Sequence, residues 1–391
     1  MILMKVKPGI DNLFERYHHV LDKKNIGLLV NQASINSSFV HSIILFKNAR
    51  NCRLKAIFTP EHGLYGIKEY MDKVPSSHDT SLQLPVYSLY GNALSPSDDM
   101  LANIDTMIFD MQDVGSRYYT YAATMALCMQ KCAQLHKDFI VLDRPNPLNG
   151  ITVQGNILKP GFESFVGMFP LPVRHGMTMG ELALYMKDHL HIELNLLIIP
   201  MRNWKRRFFW NDTNLYWIQP SPNMPQWSTA VFYPGTCLFE ATNVSEGRGT
   251  TRPFELIGAP WIDLYEFCRD LNNLRIPCIH FLPMCFVPKF DKYTNENCGG
   301  VQICIEDPVA DAYKAAIRII AYLHDRYPDH FAWRQPPYEF NNHLMPFDLL
   351  TGTDSIRLAI ENGNSPDNIL KNEYKKLHYF KEKRKKYLLY Q

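Results

Sequence analysis

Four short apolar runs, each broken off by polar or turn residues, constrain this chain more than any other feature. Residues 25–32 (NIGLLVNQ), 54–61 (LKAIFTPE), 106–113 (TMIFDMQD) and 139–146 (FIVLDRPN) have the pattern of strands buried on both faces of a sheet. Between the last two, Tyr121, Met125, Cys128, Cys132 and Leu135 recur at steps of four and three, which marks one face of a helix. Strand, helix, strand in this order predicts βαβ crossovers and an α/β fold built on a Rossmann-like parallel sheet. A further helix (MTMGELALYMKDHL) and strand (LNLLIIPM) complete a first domain, placed at residues 1–203.

The chain has 391 residues, more than one compact core holds, and its texture changes after residue 203. Residues 217–261 are dense in proline, glycine and aromatics and read as long ordered loops around short strands, the kind that bind ligands. A strand, GVQICIED (300–307), precedes a helix striped by Val309, Ala312, Tyr313, Ala316, Ile317, Ile320 and Leu323, and a helix around TDSIRLAIENG stops at Gly363. The last helix puts Tyr374, Leu377, Phe380 and Tyr387 on a docking face and its basic run outward. Residues 204–391 thus form a second, smaller α/β domain.

Several classes of function are disfavoured. The formal charge of +2 gives no electrostatic reason for a nucleic-acid or anionic-membrane partner. No run approaches the roughly 18 apolar residues of a membrane span. No G-x-G-x-x-G or G-x-x-x-x-G-K-[ST] follows a strand, so no dinucleotide or P-loop cofactor is expected, and no H-E-x-x-H or comparable cluster points to a metal. The nine cysteines are scattered, with Cys128 and Cys132 on the apolar helix stripe, and read as reduced structural thiols. MILMKVKPGIDNLFERY lacks the features of a signal peptide, so the protein reads as cytoplasmic as written, and as periplasmic or secreted if a leader has been removed.

In open α/β sheets, ligands sit beyond the carboxyl ends of the strands. Those ends here carry Asn31, Glu61, Asp110 with Asp113, and Asp143 with Arg144. Glu61, between Pro60 and the Gly63 turn, has the rigid placement a general acid or base needs; capping a helix or pairing with an arginine would use the same residue, while metal binding with the adjacent His62 suits the spacing poorly. DMQDVGSRYYTY (110–121) adds Arg117, a carboxylate fork, and the ring faces of Tyr118 and Tyr119 ahead of a helix start. In SEGRGTTRPFE (245–255), Gly247 and Gly249 flank Arg248, with Glu246 beside it; a ligand loop and a salt-bridged structural loop have the same composition. VRHGMT, with Arg174 and His175, and SPNMP, with Asn223, are weaker signals of the same kind.

Together NQAS, TPEHGLYG, LPVYSLYG, DMQDVGSRYYTY, LDRPNPLNG, VGMFPLPVRHGMTMGEL, SPNMP, YPGTCLFEATNVSEGRGTTRPFELIGAPW and CGGVQ resemble, in order and spacing, the bacterial exo-β-N-acetylmuramidases of the NamZ type. The likeness runs from about residue 25 to the carboxyl end. It implies a Rossmann-like domain joined to a smaller α/β domain that lends loops to a cleft between them, and release of non-reducing terminal N-acetylmuramic acid from peptidoglycan fragments during cell-wall turnover, without a cofactor. It carries the catalytic glutamate onto Glu61, which is expected to act as the acid that protonates the departing oxygen. Such hydrolysis calls for a second carboxyl group or a substrate-assisted step, and Asp110, Asp113 and Glu246 compete for that role. Arg117, Arg174, Arg248 and His175 are the candidates to read the lactyl carboxylate, with Asn31, His62, Tyr118, Tyr119, Arg144 and Asn223 as further substrate contacts. A non-catalytic muropeptide-binding module, a hydrolase of another amino sugar, and a nucleotide- or phosphosugar-dependent enzyme are the alternatives.

Overall fold

The structure, a computed structural model, describes residues 4–391, so the first residues of the stretch read above for a leader, 1–3, lie outside the described residues. The main sheet has seven strands: β1 (Asn25–Val30), β2 (Arg53–Thr59), β3 (Ser77–Asp79), β4 (Leu84–Ser88), β5 (Thr106–Asp110), β6 (Asp138–Leu142) and, after a two-stranded ribbon of β7 (Gln154–Ile157) and β8 (Pro172–Arg174), β9 (Leu196–Ile199). Their order is β3-β4-β2-β1-β5-β6-β9, and every pairing is parallel except the β3–β4 edge. Burial follows position. Ile26–Val30 of β1 and all of β5 are buried at the centre, whereas β9 at one edge and β3 at the other are largely half-buried or exposed.

The strands stop short of the polar residues that follow them. β2 ends at Thr59 because Pro60 has no N–H for the ladder, which leaves Glu61 in the loop beyond. In the same way Asn31, Asp113 and Arg144 lie past the ends of β1, β5 and β6. The helix Tyr121–Gln134 crosses between β5 and β6 with Tyr121, Met125, Cys128 and Cys132 all buried. Ahead of it, Gly115 has φ +80°, and a Cβ there would lie 2.4 Å from Asn146 Oδ1, so only glycine fits this turn.

The second sheet is antiparallel, in the order β10-β12-β11, formed by β10 (Leu256–Ala259), β11 (Ile279–Phe286) and β12 (Cys298–Ile305). Helices Leu264–Asn273 and Ala312–Arg326 accompany it. The latter starts at the Asp311 cap, so Val309, expected on its stripe, instead lies outside the helix and is exposed. One apolar cluster joins the two sheets, running from Phe109, Met125 and Val141 through Tyr233 and Phe254 to Val301 and Ile320.

The carboxyl-terminal helix Pro366–Arg384 packs against β7, with Leu377 and Phe380 buried. The chain then returns to the main sheet. Arg384 donates to the carbonyls of His175 and Gly176, and the Tyr390 hydroxyl donates to Asp143 Oδ2 at 2.5 Å, just past the end of β6. Among the described residues no helix is long and apolar enough to cross a membrane.

Candidate active site

A cavity opens beyond the end of β2. Its wall combines Glu61 and His62 with the tyrosine turn ahead of helix Tyr121–Gln134, the 221–224 loop, and Glu240, Arg248, Tyr338 and Glu339 from the second half of the chain.

Glu61 is buried and fixed at both oxygens. The Met71 N–H donates to Oε1 at 3.2 Å and the Thr120 hydroxyl to Oε2 at 2.8 Å. Thr120 occupies the cap position of its helix but makes no cap bond with its side chain, since its hydroxyl is turned to Glu61 instead. His62, beside it, has φ +71° and its Nδ1 lies 2.7 Å from the Lys68 carbonyl.

Two further glutamates meet there that the sequence reading did not single out. Glu240 Oε1 accepts from Arg248 Nη2 at 2.6 Å, and its Oε2 accepts from the Tyr338 hydroxyl at 2.7 Å. Glu339 is buried at φ +43°, an uncommon conformation for a residue with a side chain, and its Oε2 accepts from the Tyr90 hydroxyl at 3.1 Å. Burial first, then the charges of Glu61 and Glu240, push the Glu339 carboxyl well above the usual carboxylate range. The Tyr90 hydroxyl is also raised, by burial and by the charges of Glu61 and Glu339.

The cations are unevenly distributed. Arg248 pairs with Glu240 and, at 3.2 Å, with Glu246, while Lys292 pairs with Glu246 at 2.8 Å. Burial would lower the Arg248 guanidinium, but the charges of Glu240 and Glu246 outweigh it and hold it well above its usual value. Its loop is pressed close, because a Cβ on Gly249, at φ +76°, would meet the backbone of Lys289 and Phe290 at 2.7 Å. Neither Glu61 nor Glu339 makes an ion pair among the described residues. An adjoining open groove shares the Tyr70 wall and holds Arg334, whose guanidinium reaches the Tyr70 hydroxyl and the Tyr338 ring and has no carboxylate partner among the described residues.

Of the expected site residues, Glu61, His62, Tyr118, Tyr119, Asn223 and Arg248 line the cavity. Asn223 donates to Glu69 Oε2 at 2.9 Å, and the Tyr118 hydroxyl donates to the Pro234 carbonyl. The other expected contacts lie elsewhere. Asp110 is fully buried and paired bidentately with Arg144 at 2.6 and 3.0 Å, so neither is available to a substrate in this cavity. Asp113 is absent from the wall. One of its oxygens takes the Gly115 N–H at 2.6 Å, and burial raises it to about 7 against that bond. Glu246 sits behind the wall, holding Arg248 and Lys292.

Arg117 and Arg174 are not carboxylate clamps. Arg117 donates to the carbonyls of Asn156, Leu171 and Leu350, and Arg174 to Gln154 Oε1 and the carbonyls of Pro308 and Leu148, so both tie backbone segments together. Burial lowers each to about 10. His175 is buried, pushed down to about 3 by burial and then by the charges of Arg384 and Arg117, and accepts the Met177 N–H. Asn31 Nδ2 donates to the Tyr121 hydroxyl and the Pro220 carbonyl, tying β1 to the 214–224 loop.

The arrangement offers carboxyl groups without a cation next to carboxylates that have one, in a confined pocket walled by tyrosines. That is the equipment for moving a proton onto and off an oxygen of a bound ring.

Comparison with known proteins points the same way. The family described as "Exo-beta-N-acetylmuramidase NamZ, N-terminal" matches residues 26–228, and its "C-terminal" counterpart matches residues 231–390. Peptidoglycan beta-N-acetylmuramidase NamZ of Bacillus subtilis (strain 168) is 43% identical over 388 residues, 99% of this chain and 92% of that protein. A crystal structure of a DUF1343 family protein from Bacteroides fragilis NCTC 9343 superposes with a TM-score of 0.90 at 33% identity, covering 99% of both chains. A second from the same organism gives 0.77 at 31% identity, again covering 99% of each.

Proposed function

The chain belongs to the exo-β-N-acetylmuramidase NamZ family, and from that premise we propose that Glu61 and Glu339 are the two carboxyl groups with which it hydrolyses the β-linkage of a terminal N-acetylmuramic acid in peptidoglycan fragments. The observation that carries the assignment is that these two buried acids share a cavity, make no ion pair there and act on each other electrostatically. Two like charges so placed favour a single shared proton.

The resting proton belongs on Glu339. Its carboxyl is the raised one, and its Oε1 has no partner among the described residues, so it is free to face the glycosidic oxygen. Glu61 accepts two hydrogen bonds and acts as the charged partner that orients the 2-acetamido group or a water against the anomeric carbon. This exchanges the role expected of Glu61 from sequence, where it was the acid. Glu240, neutralised by Arg248, shapes the pocket and raises Glu339. Arg248 already has two carboxylates, so Arg334 is the better reader of the lactyl carboxylate. Nine free cysteines, two of them exposed, support a reducing compartment.

The test is the pH dependence of muramic acid release from muramyl-glucosaminyl disaccharide. A donor must be protonated, so activity should persist above the ordinary carboxylate range and fall as the pH rises through the raised value of Glu339. In Glu339→Gln the rate should drop about 100-fold and this basic limb should vanish. A basic limb unchanged in the variant would remove Glu339 from the role.

A further inference from the structure

The cavity that holds Glu61 is narrow. It has room for a few water molecules at most, too little for a sugar ring, whereas the neighbouring groove with Arg334 is open and far roomier. Among the described residues a single one lines both spaces, Tyr70. Its ring is the partition between them, so what holds that ring decides what reaches Glu61.

Tyr70 is half-buried and belongs to none of the apolar clusters of the core. Its hydroxyl donates to Asp291 Oδ1 at 3.2 Å and accepts from Arg334 Nη1 at 3.4 Å, both longer than an ordinary bond of about 2.8 to 3.0 Å. The Arg248 guanidinium stands 4.1 Å from the ring centre, and its pairs with Glu240 and Glu246 keep it in place if the ring leaves. The flanking residues are tied in the same polar way. Glu69 Oε2 accepts from Asn223 at 2.9 Å, and the Met71 N–H donates to Glu61 Oε1 at 3.2 Å. Residues 69–71 thus form a strap across the cavity, in a connection from β2 to β3 that has no helix or strand of its own. Between Glu61 and the strap, Gly63 and Gly66 bend the chain at φ +78° and +63°, and Tyr65 and Ile67 are exposed.

We propose that Tyr70 gates the Glu61 cavity: a muramyl substrate enters by the Arg334 groove, the Tyr70 ring swings out of the partition, and the two spaces join around the sugar. The gate rests on the reading that the sugar reacts beside Glu61. What favours opening follows from the chemistry of the latch. A substrate carboxylate arriving on Arg334 replaces the long hydroxyl contact with a charge-assisted pair, which offsets the cost of moving the ring. Tyr70 thereby ties recognition in the groove to access at Glu61.

The test is Tyr70→Phe, which keeps the ring under Arg248 and removes the hydroxyl of the latch. A gate that opens more readily raises the apparent affinity without touching the chemical step, so KM for muramyl-glucosaminyl disaccharide should fall about fivefold with kcat undiminished. A hydroxyl that only contacts the bound sugar or props up the fold would, once removed, raise KM or lower kcat. Either result, or an unchanged KM, overturns the gate. Movement is read directly with 3-fluorotyrosine placed at position 70 of the Glu339→Gln protein, titrated with the disaccharide while calorimetry reports binding. The fluorine resonance should shift in step with the binding heat. Binding without that shift would overturn the gate and leave the hydrolytic reading standing, whereas the absence of binding would sink both.

Discussion

The ends of β2 and β5 both present a buried acid at the same edge of one sheet, yet they do opposite things. At β5, Asp110 is gripped through both oxygens by Arg144, and its charge is cancelled where it stands. At β2, Glu61 receives only neutral donors, an N–H and a hydroxyl, and faces Glu339 across a cavity. Asp110, so paired, is committed to the fold, whereas Glu61 has no cation on it and is left to act on what enters the cavity.

The sharpest way to break this contrast is Glu61→Gln, which keeps the shape and removes the charge. Disaccharide hydrolysis should fall by 10³- to 10⁴-fold, roughly 4 to 5.5 kcal/mol of barrier, with an unchanged melting profile. Retained turnover would place the chemistry elsewhere. Asp110→Ala should do the reverse, leaving Arg144 buried without its counter-charge and costing about 3 to 5 kcal/mol in denaturant unfolding, while the folded fraction keeps its specific activity. Loss of activity without loss of stability would put Asp110 back among the working groups. The smallest effect concerns the two arginines. Arg144 has an acid, whereas Arg334 in the groove beside the cavity has none among the described residues, so Arg334→Gln should lower kcat/KM about tenfold on a muramyl substrate and leave a glucosaminyl one unaffected. Equal losses on both sugars would argue against lactyl recognition.

Much of this was legible in the residues. The buried strands announce themselves as continuous apolar runs, and Pro60 with Gly63 fixes where β2 must stop and turn, which isolates Glu61 as a candidate. Pairing was not legible. Nothing near Asp110 in the chain shows that Arg144, 34 residues on, returns to it from the end of the neighbouring strand. Arg117 and Arg174 carry the residue type of an anion clamp, and only the packing shows that backbone carbonyls occupy their guanidinium groups. Glu240 left a readable trace, a lone acid within the apolar stretch VFYPGTCLFEATNV, where a charge must be either neutralised or functional. Glu339 left almost none. It lies in a short turn between Pro337 and Asn341, and it reaches the cavity through a left-handed backbone conformation that the letters PPYEF do not declare.

The clasp between Tyr390 and Asp143 has a consequence for how the molecule is made. Asp143, raised to about 7 by burial, is held by Thr178, Gly180 and the Tyr390 hydroxyl, so its last donor leaves the ribosome almost 250 residues after it does. Until then that position on the acid is left to water. An affinity handle fused directly after Tyr390 would crowd the latch that completes it.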